Sequence, residues 1–186
     1  MRKVSVFDSV SLDGFFTDAA NDMSWAHRRD AEWDAFAAGN ASGDEGALLF
    51  GRVTYEMMRD FWTTPQAAQM MPEVAAGMNR RPKYVASRTL PAADWQHTTV
   101  LKGDAVASVK ALKAESGPDI VILGSGRLVS ALTEASLIDA YQLVLIPVVL
   151  GAGRTLFESL QERRNLRLTQ SKAFQNGNVV LWYEPA

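Results

Sequence analysis

The sequence predicts an α/β domain built on a central, mostly parallel sheet flanked by helices and closed by an antiparallel hairpin. Three observations carry that prediction. Short apolar runs of strand length alternate with segments whose apolar residues recur at helical spacing. Turns rich in glycine, serine and arginine follow three of the apolar runs directly, as strand-to-helix connections do. Near the C-terminus Asn176-Gly177 separates two extended segments, a strong hairpin signal. A length of 186 residues suits one domain spanning 1–186, and a content of 47% hydrophobic and 22% charged residues excludes global disorder.

The elements follow in order. Val4, Val6, Asp8 and Val10 share one face of an opening strand at period two, and Phe7 falls on the other, so this strand expects cover on both sides. Trp33, Phe36 and Ala37 keep the helical period in a helix expected to stop near Gly39-Asn40. Ala47-Leu48-Leu49-Phe50 is a buried strand ended by Gly51, and Tyr55, Met58 and Trp62 then fit one helical face. Pro65 and Pro72 bracket the start of a helix carrying Met70, Val74 and Met78, and Pro82 closes that region. Lys83-Tyr84-Val85-Ala86 is a short strand, and residues 95–101 hold another. Gly103-Asp104 opens a helix with Val106, Val109 and Leu112 on one face, closed by Gly117-Pro118. Ile120-Val121-Ile122-Leu123 is a buried strand, followed by a helix bearing Leu128, Leu132 and Ala135. Residues 141–150 read as a long apolar strand interrupted at Pro147, and 166–174 pairs with 178–183 across the hairpin turn.

Composition removes whole classes of function. Lys and Arg number 19 against 21 Asp and Glu, a net charge of −2, so there is no basic field for nucleic acid. The absence of Cys excludes disulfides, thiolate nucleophiles and thiolate zinc sites. His27 and His97 form no paired metal motif. The run 143–150 is far shorter than the roughly 20 residues of a membrane span, and Asp8 interrupts any signal-peptide core, so a cytoplasmic protein is expected.

Three turns carry the chemistry. In Gly51-Arg52-Val53-Thr54-Tyr55-Glu56, backbone N–H groups and the Thr54 hydroxyl at a helix start suit a phosphate, and Arg52 adds a bidentate fork. The same turn also reads as an ordinary connection with Thr54 as a local cap. Ala86-Ser87-Arg88-Thr89 sets hydroxyls beside a guanidinium, and reads equally as a solvated turn. Gly124-Ser125-Gly126-Arg127-Leu128 lets the backbone approach a pyrophosphate and aims a helix dipole at it, without completing the dinucleotide fingerprint, since Val129 holds the last position. Ligand crevices in such sheets lie at the carboxyl ends of the strands, and these turns bring Arg52, Arg88 and Arg127 to those ends. A phosphorylated nucleotide is the ligand they suit.

These three segments resemble, in matching order, the NADPH-contacting segments of the dihydrofolate reductase superfold. The similarity is closest to the branch containing the reductase domain of bacterial riboflavin biosynthesis. Ser11-Leu12-Asp13-Gly14-Phe15 resembles that branch's first-strand exit. Asp139-Ala140-Tyr141 and Pro147-Val148-Val149-Leu150-Gly151-Ala152-Gly153 resemble its late strand and glycine loop. The resemblance spans nearly the whole chain. It implies a dihydrofolate-reductase-like fold, NADPH as hydride donor, and commonly a homodimer, and it leaves the acceptor open; the first reading is a small pterin-like or pyrimidine-like heterocycle. The apolar surface of 141–150 and the closing hairpin also suggests a homodimer, as surface needing cover. Dihydrofolate reductases carry a carboxylate five residues after a Trp, and here Asp30 follows Trp25 at that distance. Ala26-His27-Arg28-Arg29 departs from the family pattern, and Asp30 also reads as a dipole-favoured carboxylate at a helix start. Asp13, just past the first strand, is the competing acid, or else an Asp-Gly turn residue. No deaminase zinc signature is present, so the expectation is a stand-alone reductase; the alternative is a non-catalytic nucleotide-binding module of the same fold.

Overall fold

A computed structural model describes residues 1–42 and 46–186. Among them, β1 (Val4–Ser11), β3 (Ala47–Gly51), β4 (Lys83–Ala86), β5 (Thr98–Leu101), β6 (Ile120–Leu123), β7 (Ala140–Ile146), β9 (Leu166–Ala173) and β10 (Val179–Pro185) form one sheet in the order β5-β4-β3-β6-β1-β7-β10-β9. Pairings from β5 through β7 are parallel, and β10 runs antiparallel to both β7 and β9. The expected mostly parallel sheet with its closing hairpin is therefore the observed architecture.

The period-two pattern of β1 sorts the core. Val4 and Val6 join Leu49, Ile120 and Ile122 on one face, covered by α5 (Ala105–Ala114) through Val109 and Leu112 and by α6 (Gly126–Glu134) through Leu128, Val129 and Leu132. The other face has two clusters. Leu48, Phe50 and Val85 pack with Tyr55 of α2 (Arg52–Trp62), Met78 of α4 (Pro72–Arg80), and Trp95. Val144, Ile146 and Val180 pack with Phe7, Trp25, and Trp33 and Phe36 of α1 (Ala31–Ser42). The opening strand is thus covered on both sides, as its sequence pattern requires.

Several boundaries differ from the sequence expectation for identifiable reasons. Helix α1 runs through Gly39-Asn40 to Ser42, because its Trp33–Phe36–Phe174 aromatic packing offsets the roughly 1 kcal/mol a glycine costs. The helix expected across Pro72 is two helices, α3 (Pro65–Met70) and α4, since the proline ring forbids helical backbone at Met71, which sits at φ −143°, ψ 68°. Strand β7 ends at Ile146, one residue before the proline that lacks a ladder donor. The apolar surface of β7 itself is covered within the chain by β1, β10 and both helical layers, whereas Val149 beyond it and Leu168 of the closing hairpin are exposed. A second sheet escaped the sequence altogether: β2 (Phe15–Asp18) pairs with the three-residue β8 (Gly153–Thr155), too short to show a period.

Lys83 is a buried cation inside this frame. Its Nζ donates to the carbonyls of Asn79 (3.1 Å), Arg81 (2.7 Å) and Gln96 (3.2 Å) and lies 4.7 Å from the Trp95 ring centroid. The ammonium ties α4 and the β5 approach to β4. Lys83→Met should leave those carbonyls without their shared donor and cost about 3 kcal/mol, read as a lowered urea midpoint. An unchanged midpoint would show that the ammonium adds nothing net.

Candidate functional site

The sheet order places the three turns side by side at one edge. Gly51 pairs in register with Ala86, and Leu49 with Ile122, so the exits of β4, β3 and β6 are adjacent and level. Arg88 follows β4, Arg52 follows β3, and Gly124-Ser125 leads from β6 into α6.

Two of the turns are bonded to each other. Ser125 Oγ accepts from the Gly51 N–H at 2.7 Å and donates to Thr54 Oγ1 at 2.9 Å. This places Ser125 in the left-handed region (φ 71°, ψ 66°) as the residue preceding α6, a conformation that costs a non-glycine residue about 1 kcal/mol. Gly124, also left-handed at φ 62°, passes so close that a Cβ there would stand 3.1 Å from Thr54 Cγ2. The hydroxyls of Thr54 and Ser125 and the Gly51 N–H are therefore engaged within the protein, where the sequence offered them as ligand contacts. They set the gap between the loops. Ser87 behaves alike: its Oγ accepts from the N–H groups of Thr89 (3.2 Å) and Leu90 (3.0 Å).

The groups that remain available are backbone N–H donors and guanidinium ions. Leu128 and Val129 N–H bond the Ser125 carbonyl, whereas Gly126 and Arg127 open α6, where N–H groups have no intrahelical acceptor. The Leu128 side chain is buried in the core and anchors this turn. Arg88 is exposed and has no ion pair among the described residues. The Arg127 side chain is 87% exposed, with Glu158 3.7 Å away. Arg52 pairs at 2.8 Å with Glu56, the last residue of the same segment and one turn along α2. That pair is half-exposed, a class worth at most about 1 kcal/mol, so an incoming phosphate can displace it. Helix N–H groups and arginines are a donor set that suits the phosphates of a dinucleotide.

The two candidate acids are held by different partners. Asp13 clamps the β1 exit to the glycine loop, accepting from Ser11 Oγ (2.6 Å), Gly151 N–H (2.7 Å) and Leu150 N–H (3.1 Å). The Ser11 hydroxyl foremost, with those N–H groups, holds its carboxyl down at about 2, so it is an ionised acceptor near neutral pH. Asp30 heads α1, its Oδ1 accepting from the Trp33 N–H at 2.7 Å and its carbonyl from the Asp34 N–H at 2.9 Å. That is the geometry of an N-cap. Nearby, Arg29 is paired with Asp34 and Arg28 donates to the Pro147 carbonyl.

A third carboxyl was not singled out from the sequence. Asp8 is only 4% exposed; its Oδ1 accepts from the Ser9 N–H at 2.9 Å and its Oδ2 has no partner among the described residues. Burial pushes it up to about 7, against the lowering effect of that N–H. An acidic residue on the valine face of β1 was the available signal.

Comparison with known proteins places this geometry. The RibD C-terminal domain family matches residues 2–180. Two Bacillus subtilis (strain 168) proteins are similar along their length: YyaP, 26% identical over 183 residues (98% of this chain, 94% of YyaP), and YwjB, 29% identical over 177 residues (93% and 92%). Among solved structures, a Shewanella sp. PV-4 protein named for riboflavin biosynthesis has a TM-score of 0.74 at 21% identity, with 99% of each chain covered. The Thermotoga maritima diaminohydroxyphosphoribosylaminopyrimidine deaminase/5-amino-6-(5-phosphoribosylamino)uracil reductase has 0.71 at 13% identity, with all of this chain matching 57% of that one. Enterococcus faecalis dihydrofolate reductase, solved with NADP(H), has 0.65 at 14% identity over 98% and 96% of the two chains. At such identities the structural likeness establishes a reductase-type, dihydrofolate-reductase-like fold. With nearly all of its sequence matched, the chain belongs to the RibD C-terminal domain family.

Proposed function

We propose that this chain is an NADPH-dependent reductase that passes hydride to a small pterin-like or pyrimidine-like heterocycle. The observation that carries the reading is the alignment of Arg88, Arg52 and the α6 N-terminus along neighbouring strand exits, with the Ser125 hydrogen bonds holding two of those exits together. Gly126 and Arg127 N–H groups would hold the pyrophosphate, and Arg52 and Arg88 the 2′-phosphate. NADPH supplies the hydride when bound; the chain's residues contribute position and charge. The engagement of Asp13 and Asp30 in hydrogen bonds of their own favours a second reading, a nucleotide-binding module without turnover.

Cofactor titration tests the first reading. Hydrogen bonds to charged groups contribute roughly 1.5–3 kcal/mol each, so Arg52→Ala or Arg88→Ala should weaken NADPH about 10- to 100-fold and leave NADH nearly unchanged. Equal binding of both cofactors by the wild type would sink the 2′-phosphate assignment. NADPH oxidation, followed by absorbance over a panel of pterins and pyrimidines, separates the two readings: binding without turnover on any acceptor favours the module.

A further inference from the structure

The strand order gives the cofactor crevice a direction. Arg88 lies beyond β4, Arg52 beyond β3 and the Gly124–Arg127 turn beyond β6. If the arginines take the adenosine 2′-phosphate and the α6 turn the pyrophosphate, the far end of the dinucleotide lies one strand further on, at β1. Three strand spacings of about 4.8 Å separate β4 from β1, roughly 14 Å, a span that an extended dinucleotide bridges.

What β1 offers at that point is Asp8. Phe7↔Leu123 is the last register pair of β1 with β6, whereas β1 stays paired with β7 through Ser11. Asp8 is therefore the first residue of β1 past the end of β6, where the two strands part. Its side chain alternates onto the face of Val6 and Val10, the face that α6 covers, while α1 and Asp30 lie on the opposite face. It is on the side of the sheet where α6 packs. Its Oδ2 is buried with no partner among the described residues, and Thr17 Oγ1, on the β2 strand adjoining β1, is a second such buried oxygen.

We propose that Asp8 meets the nicotinamide end of bound NADP(H), carrying a proton beside the uncharged reduced ring and ionised beside the cationic oxidised ring. The inference rests on the proposed function above. Its proton count closes: a protonated carboxyl beside the reduced ring becomes a carboxylate beside the cationic ring, and the proton leaves to solvent. The acceptor takes up the hydride and one proton drawn from solvent, and Asp8 regains its proton when NADP+ is exchanged for NADPH.

The surroundings leave Asp8 free to respond in this way. On its own face β7 presents Leu143, with the Tyr141 hydroxyl bonded to Thr133 one pleat away, and β6 presents Ile122. The charged groups of the other adjoining elements are Asp18 at the end of β2, Arg154 on β8 paired with Glu158, Arg127 at the start of α6 beside the same Glu158, Glu134 at the end of α6 paired with Arg164, and the exposed Lys110 of α5. Lys113 and Asp139 pair at the far end of β1. Burial governs the Asp8 carboxyl, and at about 7 both of its forms are populated near neutral pH.

Equilibrium binding of NADPH and NADP+ across pH 6–8 tests this without turnover. The NADPH constant should weaken roughly tenfold as pH rises through that window and the NADP+ constant tighten by a similar factor, so their ratio changes about 100-fold. The 2′-phosphate is common to both and cancels in the ratio. Calorimetry in buffers of different ionisation heat should show proton uptake with NADPH and release with NADP+. In Asp8→Asn the ratio should not vary with pH; a ratio that is flat in the wild type, or still pH-dependent in the variant, overturns the inference. If the variant does not fold, 13C-labelled wild-type aspartate provides the reading: one carboxyl carbon should titrate near neutrality, its midpoint rising with NADPH and falling with NADP+. Midpoints that neither cofactor moves overturn it. If neither cofactor binds at all, the proposed function fails and takes this inference with it, whereas binding with an invariant ratio removes the inference alone.

Discussion

The wild-type protein should lose folding stability as pH rises from about 4 to about 7, and Asp8→Asn should remove that loss. The native carboxyl titrates at about 7 and the unfolded one near the ordinary value of 3.8. Between those values the native state keeps a proton that the unfolded state has released, so each rise in pH favours unfolding; above 7 the penalty is complete and constant. A difference of this size corresponds to something on the order of 4 kcal/mol. Asp13, Asp22 and Asp94 shift the other way, held down by hydrogen bonds, so the stability they add is present above 3.8 and lost only in stronger acid. They do not contribute slope in the same window. Urea unfolding of both proteins at pH 4.5 and 7.5 reads the effect as a stability gap that moves toward the variant with rising pH. A gap that is equal at both values would mean that Asp8 is ionised in the native protein well below 7.

Gly153→Ala should be among the most damaging single-methyl changes in the chain. Gly153 pairs with Asp18 across the β2–β8 sheet, and a Cβ there would overlap the Thr17 carbonyl oxygen, a backbone atom that no rotamer change can move. Relief requires β8 to separate from β2. That pair carries Phe16 and sits beside Leu156, both buried in the core, and the Phe16 ring packs on Gly126 at the head of α6. The expected cost is about 3 kcal/mol, a fall in Tm of roughly 6–12 °C for a domain of this size. Because the α6 turn loses its packing partner, NADPH affinity should fall as well. Gly39→Ala in α1 is the matched control: no other group of the described residues lies within 4 Å of its added methyl, and it should stabilise by about 0.5–1 kcal/mol. If both variants melt together, β2 and β8 accommodate the methyl and the close approach has no energetic consequence.

The arrangement of strands was legible because burial writes period and run length into the chain. Val4, Val6 and Val10 against Phe7 announce a strand covered on both faces, Ile120–Leu123 reads as buried, and Asn176-Gly177 marks the turn between β9 and β10. Residues missed in this way carry no period. The β2–β8 pair is held by one close backbone approach at Gly153, and Ser125 differs from any other turn serine only through Gly51 and Thr54, which lie more than 70 positions away.

The α/β class, the order of the strands along the chain and the three turns that leave their carboxyl ends follow from local rules: apolar period, turn chemistry, and the positions of glycine and proline. What each polar side chain does at those turns depends on the packing of distant segments. Ser125 and Thr54 bond to each other across the crevice, Asp13 accepts from the Ser11 hydroxyl and two backbone N–H groups, Asp30 caps α1 at the Trp33 N–H, and Asp8 keeps a buried oxygen without a partner among the described residues. A hydroxyl or carboxylate takes its role from the groups within about 3 Å of it and from its access to water. In a sheet whose neighbouring strands come from distant parts of the chain, those neighbours are set by strand order in space, which no local window of sequence contains.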